Sequence, residues 1–263
     1  MTPDLSAGVS FFFIVVLGVY FQTVTGFGLA MIIIGIASGI GIASVADLAT
    51  IVSILALFNG CIALRGLLRH IDWAIAGAVM AAVIPASILG VMLLNYLSST
   101  TSNWLQFMLG LVIAYAGISF AVRQRPLSCV SGRMNFFTYG FFGGVIGGMF
   151  GIAGPPLIFQ FYRQPMSLNQ IRSHLFLILT LIAAARTVFV ASQGQLTVAI
   201  LWISAACIPV VALATLIARR HPPRLSESVA RRGAFLVLTF MGVALIGPTA
   251  HGILEALTAY VLP

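Results

Sequence analysis

Apolar runs follow one another along almost the whole chain, separated by short polar stretches. The pattern gives ten of them, over residues 6–24, 28–43, 47–64, 71–97, 103–122, 135–150, 154–165, 168–191, 196–218 and 233–250. Each is predicted to be a helix or half-helix, because lipid offers no partner for an open strand edge. Two runs are broken internally by glycine or proline. The first break reads Gln22-Thr23-Val24-Thr25-Gly26-Phe27-Gly28-Leu29 and the second Gly148-Met149-Phe150-Gly151-Ile152-Ala153-Gly154-Pro155-Pro156. Such breaks free backbone N–H and C=O groups, so they are tolerated only against protein or a watery cavity. In matching positions of two halves they mark a transporter binding site.

The breaks divide the chain into two five-segment repeats, residues 1–122 and 123–263, within one membrane domain. Ile84-Pro85 and Ile208-Pro209 recur at nearly the same offset as the breaks. The predicted fold is therefore an all-α polytopic membrane protein with about 8–10 membrane segments. Each repeat opens with a broken, glycine-rich hairpin. Residues 135–150 and 154–165 are short for full spans, and whether the broken hairpins cross or re-enter the membrane stays open.

Composition supports this class. Of 263 residues 60% are hydrophobic and 7% charged, against roughly 25% charged in a soluble domain. The formal charge of +8 does not point to nucleic acid. The basic residues are all arginine, and nearly all sit in short loops, as topology signals do. Arginine-rich connections (Arg65 and Arg69; Arg123, Arg125 and Arg133; Arg163 and Arg172; Arg219 to Arg232) alternate with arginine-free ones (Gly41 to Ala46, Ser98 to Ser102, Ser192 to Gln195). The positive-inside rule then puts both termini outside the cytoplasm in a multi-pass protein of the inner membrane. Equivalent loops of the two halves fall on opposite sides, so the repeats are inverted. The three cysteines, Cys61, Cys129 and Cys207, form no disulfide or metal pattern.

Candidate chemistry is sparse. No Ser/His/Asp arrangement, paired intramembrane carboxylate or metal-ligand spacing occurs, so neither an enzyme nor a cofactor or metal is expected. Gly26, Gly28, Gly151 and Gly154 are predicted where a helix restarts, with backbone donors of residues 151–154, Ala153 included, aimed at an anion. Gln22, Thr23 and Thr25 precede the first break and are candidates for an oxyanion cage. Gly143, Gly144, Gly147 and Gly148 serve either helix packing or the site. His174 is either an interfacial hydrogen-bonding residue or a substrate contact and proton carrier. Arg186, alone deep in an apolar run, either contacts substrate or snorkels to the outer face. Asn59 is an interhelical hydrogen-bonding residue or part of the site.

At these residues the chain resembles the sulfite exporter TauE/SafE family of permeases. The resemblance rests on Gly143-Gly144-Val145-Ile146-Gly147-Gly148-Met149-Phe150-Gly151-Ile152-Ala153-Gly154-Pro155-Pro156. That run is close to a Gly-x-x-Gly-x-Gly-Gly pattern followed by proline, with Ala153 replacing one glycine. The first copy, Thr25-Gly26-Phe27-Gly28, is more degraded. The resemblance implies secondary transport of a small sulfur-containing anion, sulfite or an organosulfonate, and the inverted repeats predict that it proceeds by alternating access. The expected partners are that anion and the lipid bilayer, with a homodimer left open. The alternative is a non-transporting membrane anchor or regulatory subunit.

Overall fold

The computed structural model describes residues 5–98, 111, 127–151 and 155–220. Among them the chain forms eight α-helices and no strand. They are α1 (Leu5–Thr25), α2 (Leu29–Gly39), α3 (Val45–Ala63), α4 (Trp73–Ser98), α5 (Arg133–Phe150), α6 (Pro155–Tyr162), α7 (Leu168–Ser192) and α8 (Val198–Arg220). The predicted segments 103–122 and 233–250 lie outside the described residues.

Five helices are long and apolar enough to cross a membrane: α1, α3, α4, α7 and α8. The two that follow the breaks are not. With 11 residues α2 rises about 16 Å, and with 8 residues α6 rises about 12 Å, against a hydrocarbon core of about 30 Å. Residues 40–43 and 163–165, expected to continue those helices, lie in turns. Each is too short to cross that core by itself.

Sequence explains the lengths. Gly26 (φ 92°) ends α1, and Gly28 (φ 108°) sits in the left-handed region just before α2 restarts. Only glycine enters that region without a Cβ penalty. Gly151 (φ 65°) ends α5 in the same way. Pro155 and Pro156 open α6, where the first-turn N–H they lack has no intrahelical acceptor anyway. Two further starts are capped by serine: Ser44 accepts the Asp47 N–H before α3, and Ser167 forms a capping box with Gln170 before α7.

Packing places both half-helices inside the protein. Nearly every residue of α2 from Leu29 to Ser38 is buried, which suits a helix apolar all round. α3 runs through the middle against α2, α7 and α8, while α4 lies along α5. Glycines set that last contact. Gly140, Gly144 and Gly148 of α5 face Val79, Val83, Ala86 and Ser87 of α4, and Gly90 of α4 faces the Val145 backbone. The small-residue stripe thus serves close backbone approach, the first of the two readings for Gly144 and Gly148. Gly143 faces Leu157 of α6. Large side chains such as Phe13, Tyr96, Phe142, Val188 and Trp202 stay exposed around the outside, as in a lipid-facing belt.

The order of elements repeats: a long helix, a break, a half-helix, then two long helices. The second long helix carries an internal proline in each case, Pro85 in α4 and Pro209 in α8.

Candidate functional site

A helix that stops inside a protein leaves its last carbonyls without intrahelical donors. At the end of α1 the partners come from local atoms and from two distant helices. Gln22 O accepts the Gly26 N–H at 2.6 Å. Thr25 O accepts the Tyr162 hydroxyl at 2.5 Å, and Thr23 O accepts the Arg172 guanidinium. The Thr25 hydroxyl lies 2.9 Å from Phe21 O and 2.8 Å from Phe27 O. At the end of α5, Gly147 O accepts the Gly151 N–H at 2.8 Å. Gly148 O and Met149 O accept Arg186 Nη1, the latter at 3.0 Å. One arginine of α7 therefore serves each break.

Between the breaks lies a small cavity of about 10 Å³, the room of about one water. Gln22, Gly28, Ala30 and Met31 line it from the first break, and Gly151 and Ile158 from the second. Ala56 of α3 and Leu179, Ile182 and Ala183 of α7 complete the wall. Two regions far apart in sequence thus meet at one point: α2 packs on α1 and α3, α6 packs on α5 and α7, and α3 and α7 pack on each other.

Gln22 is the polar side chain of this wall, and both ends of its amide are engaged. Oε1 accepts the Leu29 N–H at 3.1 Å, the first turn of α2. Nε2 donates to Asn59 Oδ1 at 2.9 Å. Asn59, fully buried on α3, in turn donates to Thr215 Oγ1 of α8 at 2.8 Å and to Thr23 Oγ1 at 3.3 Å. The next first-turn donors of α2, the N–H groups of Ala30 and Met31, have no intrahelical acceptor by helix geometry, and both residues line the cavity.

The remaining candidates distribute unequally. Gly28 and Gly151 line the cavity, whereas Gly26 packs under Arg172. Gly151 also presses on Ala49 O and Ser53 of α3, so its lack of a side chain serves a close approach as well. Its own N–H is taken by Gly147 O, which removes it from the donors expected of the second break. Gly26 and Gly151 end helices rather than restart them. Ala153 and Gly154 lie outside the described residues. The Thr25 hydroxyl is spent on backbone. Asn59 stands behind Gln22 rather than in the wall.

His174 is fully buried but away from the cavity. Its Nδ1 donates to Gln170 O at 2.7 Å and its Nε2 accepts the Asp72 N–H at 3.0 Å, while the ring stacks on Phe161. It ties α7 to the start of α4. Arg186 does not snorkel: it is 1% exposed and turned inward onto the end of α5. Arg172 is the residue that sequence reasoning passed over, since its place beside a loop reads as a topology signal. Thr215 escaped for a plainer reason: nothing along the chain marks its partner.

Comparison with known proteins agrees with the architecture. A family model described as "Sulfite exporter TauE/SafE" matches residues 11–245. A protein of Cupriavidus necator (strain ATCC 17699 / DSM 428 / KCTC 22496 / NCIMB 10442 / H16 / Stanier 337), named "Probable sulfite/organosulfonate exporter TauE", is 48% identical over 245 residues, 93% of each chain. No solved structure matches the chain.

Proposed function

The chain belongs to the sulfite exporter TauE/SafE family, and from that premise we propose that it is a secondary transporter of a small sulfur oxyanion, sulfite or an organosulfonate. The observation that carries this reading is the meeting of both broken helices at one cavity. An anchor or regulatory subunit has no need of such breaks.

The anion sits between Gly28 and Gly151. A desolvated anion must find fixed donors. The α2 N-terminus supplies them through Ala30 and Met31, and through Leu29 once the anion displaces Gln22 Oε1 from its N–H, with the positive end of the helix dipole behind them. Gln22 adds its amide. In the present conformation the cavity is too small for sulfite, so transport requires the half-helices to part. The two repeats, residues 1–122 and 123–263, are inverted, and they move against each other to open the cavity alternately to each side. Both termini face away from the cytoplasm in the inner membrane.

Purified protein in liposomes tests the reading. Radiolabelled sulfite is expected to cross only vesicles that contain the protein, and unlabelled organosulfonates to compete. Vesicles with inserted protein and no sulfite flux would support the anchor instead.

A further inference from the structure

Helix α7 carries two arginines whose guanidinium groups both bond the end of a helix at a break. Arg172 donates to Thr23 O at the end of α1, and Arg186 to Gly148 O and Met149 O at the end of α5. They are related by the helix. At 1.5 Å and 100° per residue, Arg172 and Arg186 stand about 21 Å apart along α7 and only about 40° apart around it. Leu179, Ile182 and Ala183, the three α7 residues of the cavity wall, lie between them on that same face. The face is therefore a track: a cation, an apolar middle that borders the anion cavity, and a second cation.

Among the described residues no carboxylate bonds to either guanidinium; all their acceptors are backbone carbonyls. The Nε of each is buried with no hydrogen-bond partner. A charged side chain within a membrane is costly, and it is retained where it meets a partner of opposite charge or a substrate path. A carbonyl bears only a partial charge. What would complete each site is an oxyanion: it supplies full charge and at least two oxygens, which match the planar fork of the guanidinium.

We infer that Arg172 and Arg186 are two way-stations for the transported oxyanion, one on each side of the central cavity. The anion exchanges with the carbonyl ligands of one arginine, passes to the cavity donors and leaves by the other. The carbonyls hold each guanidinium in place while no anion is present. Because each arginine also grips the last turn of the helix before a break, α1 or α5, arrival of an anion at a station loosens that helix end, which links occupancy to opening. This deepens the transport reading above and rests on it.

The test is the sidedness of the Michaelis constant. Protein is reconstituted in a single orientation, and radiolabelled sulfite is presented at each face in turn, for wild type, Arg172→Gln and Arg186→Gln. Loss of a charge-assisted contact is expected to raise KM about tenfold at one face with Arg172→Gln and at the opposite face with Arg186→Gln, leaving the other face within about twofold. If a glutamine variant fails to insert, Arg172→Lys or Arg186→Lys carries the test. Lysine keeps the charge without the fork, and a KM rise at the same single face is expected. Equal changes at both faces, or lowered thermal stability with unchanged KM, would make the arginines helix caps and overturn the inference. Absent sulfite flux in the wild type would instead sink the transport reading and the stations with it.

Discussion

Gln22 Oε1 holds the N–H of Leu29 at 3.1 Å across the first break, so the last turn of α1 caps the first turn of α2 through one side chain. An oxygen atom already rests on a donor that the proposed anion site would use. The amide oxygen is neutral, so in the proposed site Gln22 would be a placeholder that an anion displaces.

Gln22→Glu turns this placeholder into a resident anion. A carboxylate at a helix N-terminus is stabilised by the dipole and by the N–H groups it accepts. It would compete with substrate at very high local concentration. The expected outcome is a KM for sulfite raised at least about tenfold, with little loss of thermal stability. An unchanged KM in liposomes would show that substrate does not use the α2 N-terminus.

Asn59→Leu removes the group that orients Gln22 and joins α1, α3 and α8. It leaves Gln22 Nε2 and Thr215 Oγ1 in a buried site without their Asn59 partner. A stability loss of about 1–3 kcal/mol is expected, together with a raised KM as Gln22 loses its fixed pose. Thr215→Val, which deletes only the outer member of the chain, should cost less of both. Chemical denaturation in detergent and liposome flux measure the two effects separately. Equal effects of the two substitutions would argue against a chain that ends on Gln22.

Gly144→Ala probes the stripe between α4 and α5. A Cβ there would stand 2.8 Å from Ala86 Cβ and 2.9 Å from Val83 O. Backbone must shift to admit it, at a cost of about 1–3 kcal/mol. Gly144 does not line the cavity, so KM should hold while the melting temperature falls. A large KM change at normal stability would assign the stripe to the site.

Sidedness can be read with single cysteines. Cys129 precedes α5 in an arginine-rich connection, and Ser192 ends α7 at an arginine-free one; both are exposed. In a background without Cys61 and Cys207, Cys129 should escape an impermeant thiol reagent in intact cells. Ser192→Cys, with Cys129 also removed, should react. The reverse pattern would invert the proposed topology.

Sequence alone determined the class of this protein, the existence of its described helices and the position of both breaks. Membrane spans depend on length and apolarity, and breaks depend on glycine and proline, all of which are local properties of the chain. Even Asn59 was recognisable as a buried hydrogen-bonding residue, because an amide in an apolar run must find a partner. What only the tertiary structure decided is who those partners are. That Gln22 caps Leu29, that His174 serves the α4–α7 joint, and that Gly28 and Gly151 border one cavity all follow from how α3 and α7 pack. Arg172 makes the point most directly. Along the chain it belongs to a loop charge pattern, yet in space it completes the end of α1, 149 residues away. A freed carbonyl can be satisfied by any donor that packing brings within reach, and the sequence around the carbonyl carries no mark of which donor that is.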